Sequence, residues 1–204
     1  TSQVKALSNE PGDEAIVPPR FHAHFTRDRE VFLAEDPGDR ATLRSGFFED
    51  FYARHDDPWG FEARWYEERK RAVLLAALPA PNLGSVLEIG CATGLLTASL
   101  AARSDRVIAV DASARAVDRA SRRLAGADHV TISRAHVPTE WPEGEFDTVV
   151  LSEVGYYFDA ADLDTLIRRI DAALTADGIV VACHWRHPVA EYPSTGDRVH
   201  HTLR

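Results

Sequence analysis

Between Ser85 and Cys183, short apolar runs alternate with stretches of helical periodicity, and this alternation constrains the fold more than any other feature. Ser85–Ile89, Arg106–Val110, Val130–Ser133, Phe146–Leu151 and Gly178–Cys183 read as strands. Between them the sequence predicts a small-residue helix over Leu95–Ala102. A second helix is capped by Ser113 and carries Val117, Ala120 and Leu124. A third presents Leu163, Leu166, Ile167, Ile170 and Leu174 on one face. Strand and helix alternating five times imply an α/β fold of Rossmann-like type: a mostly parallel, twisted sheet with helices on both faces. A ligand of such a sheet lies outside the carboxyl ends of the strands, near the point where strand order reverses.

Upstream, helical patterning surrounds Leu43–Arg54, Asp57-Pro58 marks a turn, and a helix over Trp65–Leu78 ends at Pro79 and Pro81. Residues 1–20 are polar and rich in Pro and Gly and read as a flexible leader. Residues 21–64 read as an N-terminal helical lid segment, and residues 65–204 as the main domain. The formal net charge of −9 argues against a general nucleic-acid partner. The cluster Arg115, Arg119, Arg122 and Arg123 reads as the solvated face of one helix. No run is apolar enough to suggest a membrane partner, and the opening TSQVKALSNEPGDEA has no stretch of signal-peptide type. With only Cys91 and Cys183, a reducing, cytoplasmic setting is expected.

The segment V-L-E-I-G-C-A-T-G, Val86 to Gly94, falls at the first strand-to-helix turn. Without a side chain, Gly90 lets backbone approach a ligand closely. Asp111 ends the second strand, where an acid can accept both hydroxyls of a ribose. Dinucleotide sites place a second glycine where backbone meets pyrophosphate; here Ala92 stands there, with the acid Glu88 ahead of the loop.

The form E-x-G-x-x-x-G resembles the first motif of class I methyltransferases, and the resemblance runs over about residues 65–190 by motif order. It implies the class I methyltransferase fold, S-adenosyl-L-methionine as cofactor and S-adenosyl-L-homocysteine as product. It sets Glu88, Gly90, Cys91, Ala92 and Gly94 against the cofactor, Asp111 and Ala112 at the ribose, and Ala135, His136 and Val137 beside the adenine. Many members carry an acid near the adenine, whereas this chain has none there until Glu140. The segment D-P-W-G-F-E-A-R-W-Y-E-E-R-K, Asp57 to Lys70, and S-E-V-G-Y-Y, Ser152 to Tyr157, are similar to the NodS-like branch. Its nodulation enzymes N-methylate the free amine of a deacetylated chitooligosaccharide. In that branch Trp65, Tyr66 and Arg69 are expected to fold over the methionine end, with Arg69 pairing its carboxylate. Class I members finish the sheet with two further strands, for which the residues after Cys183 show little pattern. The fifth strand is therefore expected to be covered either by chain beyond Arg204 or by the N-terminal segment.

Methyl transfer is an in-line displacement, so positioning can supply most of the catalysis. Glu153, at the end of the fourth strand, can bind a substrate ammonium or take its proton; the alternative is a surface carboxylate at a helix start. His184 can serve as base or be structural. Tyr156, Tyr157 and Trp185 can shape a substrate pocket or simply pack. His184, His187, His200 and His201 have no metal-site spacing, so no metal is expected. Cys91 has no neighbour that would activate it as a nucleophile. The leading expectation is a methyltransferase acting on a small polar metabolite, by N-methylation of an aminosugar-like amine. O-methylation on the same fold and a non-catalytic cofactor-binding partner subunit are the alternatives.

Overall fold

The computed structural model describes residues 3–6, 40–55 and 57–204. Strands β1 (Gln3–Ala6), β2 (Ser85–Ile89), β3 (Arg106–Asp111), β4 (Val130–Arg134), β5 (Phe146–Ser152) and β6 (Leu174–Cys183) form one sheet in the order β1-β6-β5-β2-β3-β4. Every neighbouring pair is parallel. Helices α1 (Ser45–Arg54), α2 (Trp65–Ala77), α3 (Leu95–Ala101), α4 (Ala114–Arg123), α5 (Ala160–Ala173) and α6 (Gly196–Thr202) accompany it.

Both faces of the central strands β2 and β5 are buried, which explains why they are largely apolar instead of alternating. On β2, Val86 packs on one face with Leu74, Leu100 and Val107. Leu87 and Ile89 pack on the other with Phe146, Leu166 and Ile170. Each such side chain contributes about 1.5–3 kcal/mol through burial. From β2 the chain runs to β3 and β4 on one side, then returns to β5 and β6 on the other. The reversal opens a crevice between the carboxyl ends of β2 and β5.

Local chemistry sets the helix starts. Ser113 caps α4 by accepting from the Ala116 N–H at 3.2 Å. Asp159 caps α5 by accepting from Ala161 and Asp162 at 3.0 and 2.9 Å. Of the stripe expected on α5, Leu163, Leu166 and Ile170 are fully buried, but the helix ends at Ala173 and Leu174 opens β6. The expected five-fold alternation is also broken. No helix separates β4 from β5, and the chain there makes only a turn, closed by the Glu140 N–H donating to the His136 carbonyl at 2.9 Å.

Helix α6 was not anticipated. Its seven residues are too few to display a period, yet Thr195 caps it and Val199 is fully buried. Within the expected leader, Gln3–Ala6 forms β1, paired from Gln3–Ile179 to Ala6–Ala182. The N-terminal segment therefore takes the edge position beside β6. The remainder of that leader, and residues 21–39 of the lid segment, lie outside the described residues.

Gly94 and Gly126 separate two costs that glycine avoids. Both have positive φ, but a Cβ on Gly94 would lie 3.0 Å from the Ala120 backbone, while one on Gly126 meets nothing within 4 Å. Gly126→Ala should lose about 1 kcal/mol from backbone strain alone, and Gly94→Ala clearly more, because α3 and α4 must separate. Urea unfolding of the two variants checks the order.

Candidate functional site

A cavity of about 660 Å³ opens at the carboxyl ends of β2, β3 and β5, a size typical of small-molecule sites. Its floor is the turn after β2, Asp111 and Ala112 at the end of β3, and Glu153 and Val154 after β5. Aromatic side chains of α1, the 57–61 turn and α2 form the opposite wall, among them Tyr52, Trp59, Phe61 and Tyr66.

The glycine turn is held on three sides. The N–H groups of Gly90 and Cys91 donate to the Val110 carbonyl at 2.8 and 3.0 Å. Gly90 has φ +78°, and a Cβ there would lie 2.1 Å from Val154 Cγ2. Its lack of a side chain thus lets the β5 loop approach the β2 loop closely. Asp111 accepts from Ala92 N–H and Ser113 N–H, each at 2.9 Å. Burial raises the Asp111 carboxyl, and hydrogen bonds from Ser113 and Ala92 partly offset that. Each of its oxygens has a second lone pair available to a hydroxyl in the cavity. Ala112, Ala135, His136 and Val137 line the cavity beside it. The distant acid Glu140 folds back, accepting from the His136 N–H at 2.8 Å. Gly94 does not join this wall: it is turned to Ala120, and its role is helix packing.

Glu88 lies on the cavity wall at 2% exposure, and its Oε2 has no hydrogen-bond partner. Burial pushes its carboxyl up to about 7, with the Thr97 hydroxyl opposing and Asp111 adding to the rise. Cys91 is equally buried, and burial, Asp111 and Glu88 raise its thiol, which leaves no thiolate for nucleophilic work.

At the end of β5, Glu153 is no surface carboxylate. Its backbone is left-handed, φ +60°, with its N–H donating to the Cys183 carbonyl at 2.8 Å. Tyr156 donates its hydroxyl to Glu153 Oε2, and Lys70 Nζ lies 3.9 Å from Oε1. Burial raises the Glu153 carboxyl, and Lys70 is the first of the groups opposing that. Tyr156, Tyr157 and Trp185 line the cavity, and Trp185 meets Tyr66 edge-on at 5.5 Å.

Besides Gly94, three expected residues are placed elsewhere. His184 is buried away from the cavity wall. Its Nε2 accepts from Gly155 N–H at 2.9 Å, and Nδ1 faces His200 Nε2 at 3.2 Å. Burial, then His200 and Lys70, push its imidazole well below the ordinary value. With both nitrogens engaged, it secures the turn that carries Tyr156. Trp65 is 68% exposed, and Arg69 is absent from the wall. Helix phase is the reason: Tyr66, Lys70 and Leu74 share the inward stripe, which leaves Trp65 and Arg69 on another.

The inward stripe delivers what sequence reading missed. Lys70 is 5% exposed, 2.7 Å from Glu67 Oε2, and lines the cavity with Glu67. Spacing alone does not reveal the aromatic wall of Trp59 and Phe61, but the Tyr66-Lys70-Leu74 period is legible in the sequence. The arginines of α4 are also more than a solvated face. Arg123 pairs with Glu62 and donates to the Thr93 carbonyl at 2.9 Å, and Arg115 lies 3.7 Å from Glu49. They tie the segment before α2 to the glycine turn. Among the described residues, no group of three or more His, Cys, Asp or Glu could hold a metal ion, and no helix is long and apolar enough to cross a membrane.

A parallel sheet whose switch-point cavity is bordered by a glycine turn and a strand-end acid defines the class: a Rossmann-like, class I methyltransferase fold. The family model for Nodulation protein S (NodS) matches residues 49–192, and the chain belongs to that family. Nodulation protein S of Rhizobium tropici is 31% identical over 128 residues, 62% of this chain and 54% of that protein. The chain spans about half the length of the curated relatives it matches. The N-methyltransferase NodS of Bradyrhizobium japonicum WM9, in complex with S-adenosyl-L-homocysteine, superposes with a TM-score of 0.72 at 25% identity, covering 79% of this chain and 85% of that one. A candidate methyltransferase from Pseudomonas syringae gives 0.61 at 46% identity, covering 69% and 85%.

The Glu88 carboxyl yields a pH test. Unfolded, it releases its proton near 4.5; folded, near 7. Between those values the native state holds the extra proton, so this group's contribution to stability falls as pH rises. Relative to Glu88→Gln, the parent should lose about 3 kcal/mol across that window. Urea unfolding at a series of pH values checks it, and parallel curves for the two proteins would refute the shift.

Proposed function

We propose that this chain is an S-adenosyl-L-methionine-dependent methyltransferase that N-methylates the amine of a small polar, aminosugar-like acceptor. The observation that carries this reading is a pair of carboxylates on one cavity, Glu88 and Glu153, each with a buried oxygen that has no hydrogen-bond partner. A buried carboxylate oxygen left so is costly unless a ligand completes it. Two ammonium groups would do so: the α-ammonium of the cofactor at Glu88 and that of the acceptor at Glu153. The complex of Bradyrhizobium japonicum NodS with S-adenosyl-L-homocysteine supports S-adenosyl-L-methionine as the cofactor. A cytoplasmic setting accords with the two free, buried cysteines.

When bound, S-adenosyl-L-methionine supplies a methyl group on a positively charged sulfur. Asp111 would hold the ribose hydroxyls, and its bonds to Ala92 and Ser113 keep it aimed without reorganisation. His136 and Val137 would flank the adenine. Glu153 would hold the acceptor ammonium and take its proton on to water, since only the neutral nitrogen has a lone pair for the new bond. Tyr156, Tyr157 and Trp185 wall the space where the acceptor would sit.

Asp111→Ala should weaken S-adenosyl-L-homocysteine by tenfold or more, given about 1.5–3 kcal/mol for a charge-assisted hydrogen bond. The variant should also discriminate less against a 2′-deoxy analogue, as measured by calorimetry. The deciding assay follows labelled methyl from S-adenosyl-L-methionine to a glucosamine-type oligosaccharide and to its N-acetylated form. Transfer to the free amine alone is expected. Equal transfer to both would place the methyl on oxygen, and transfer to neither, with cofactor affinity intact, would favour a non-catalytic cofactor-binding subunit.

A further inference from the structure

We propose that Lys70 is a positioning residue of the acceptor site, anchored by Glu67 and holding Glu153 ionised with its Oε1 open to the acceptor. The inference rests on the reading of the cavity as a methyl-transfer site. Lys70 and Glu67 are one helical turn apart on α2, and their ion pair at 2.7 Å is buried on both sides. From that anchor Nζ also faces Glu153 Oε1, at 3.9 Å. This is an ion-pair distance, too long for a hydrogen bond, so Oε1 keeps its hydrogen-bonding capacity for a ligand. Its other oxygen is taken by Tyr156.

The remaining titratable groups facing Glu153 are neutral. Burial, then Glu153 itself, raises the hydroxyls of Tyr66 and Tyr156 and pushes the Cys183 thiol up to about 12. Burial first, then Tyr192, raises Tyr157, and Tyr192 is raised as well. Charge in this cluster therefore belongs to Glu67, Lys70 and Glu153. Burial pulls the Lys70 ammonium down, but Glu153 and Glu67 more than offset it. With all three ionised, two carboxylates face one ammonium, and the cluster is one positive charge short. An acceptor ammonium supplies that charge.

The backbone points the same way. A non-glycine residue with φ +60° is held there by its surroundings, and such strain clusters at functional sites. Here the Cys183 carbonyl holds the Glu153 N–H, and the carboxylate faces Lys70. Removing Lys70 would leave a buried carboxylate with no cation beside it, and it would take up a proton instead.

An infrared titration of the ligand-free protein tests this without any assay of activity. The carbonyl band of protonated Glu153 is the one missing in Glu153→Gln. In Lys70→Met its midpoint should lie about one pH unit or more above that of the parent, and Lys70→Arg should restore it. If stranding Glu67 unfolds the single variant, Lys70→Met combined with Glu67→Gln should show the same shift. In steady-state assays with a glucosamine-type oligosaccharide, Lys70→Met should raise KM for the amine and move the acid limb of kcat/KM to higher pH. A midpoint unchanged in the neutral variants would overturn the proposal, as would a uniform loss of kcat/KM at every pH. Should the parent methylate no amine while the infrared midpoint still moves, the functional reading fails and the role of Lys70 in holding Glu153 ionised stands.

Discussion

Where the chain reverses its direction across the sheet, the loops leaving β2 and β5 come together, and they meet at Gly90 and Val154. The contact leaves no room for a Cβ on Gly90, since Val154 Cγ2 would lie 2.1 Å from it. Because these loops nearly touch, Glu88 at the end of β2 and Glu153 at the start of the β5 loop open into one cavity. The glycine motif therefore reports the approach of two protein segments as much as the approach of a ligand. A side chain at that position would push the loops apart and alter the cavity from both sides.

The cavity combines an aromatic wall with carboxylates that an apolar interior normally rejects. Glu88, Asp111 and Glu153 all have carboxyls raised by burial. Each is compensated differently: Asp111 by two backbone N–H groups, Glu153 by a tyrosine hydroxyl and a lysine, Glu88 by the Thr97 hydroxyl alone. Such incomplete satisfaction lowers the stability of the protein alone and is relieved when a cation binds. Stability and the proposed function are thereby opposed at the same residues.

Helix α4 joins the parts of the site that are distant in sequence. Its first turn meets Glu49 of α1, where the Ala114 N–H donates to a carboxylate oxygen at 2.5 Å. An acid at a helix N-terminus is favourable because unpaired N–H groups and the helix dipole meet it there. At the other end Arg123 reaches both Glu62 and the carbonyl of Thr93. The aromatic wall is thus referenced to the glycine turn through one rigid element.

The sequence by itself determined the five main strands, their parallel pairing and the position of the crevice. Local periodicity and the demand that both faces of a parallel sheet be covered leave little choice. It also determined the turn at Gly90 and the acid at Asp111, because backbone geometry restricts which residues can stand there. Tertiary structure decided which side chains face the cavity. Trp65 and Arg69 lie in the segment that resembles the NodS branch, yet the phase of α2 turns Tyr66, Glu67 and Lys70 inward instead. His184 sits at the right strand end, but its nitrogens are engaged by Gly155 and by His200 of α6, a helix too short to be legible. The pairing of Lys70 with Glu153 joins residues 83 positions apart, and only packing brings them together. Periodicity is a property of neighbours along the chain, whereas the charge state of a buried carboxylate depends on whichever groups the fold places beside it.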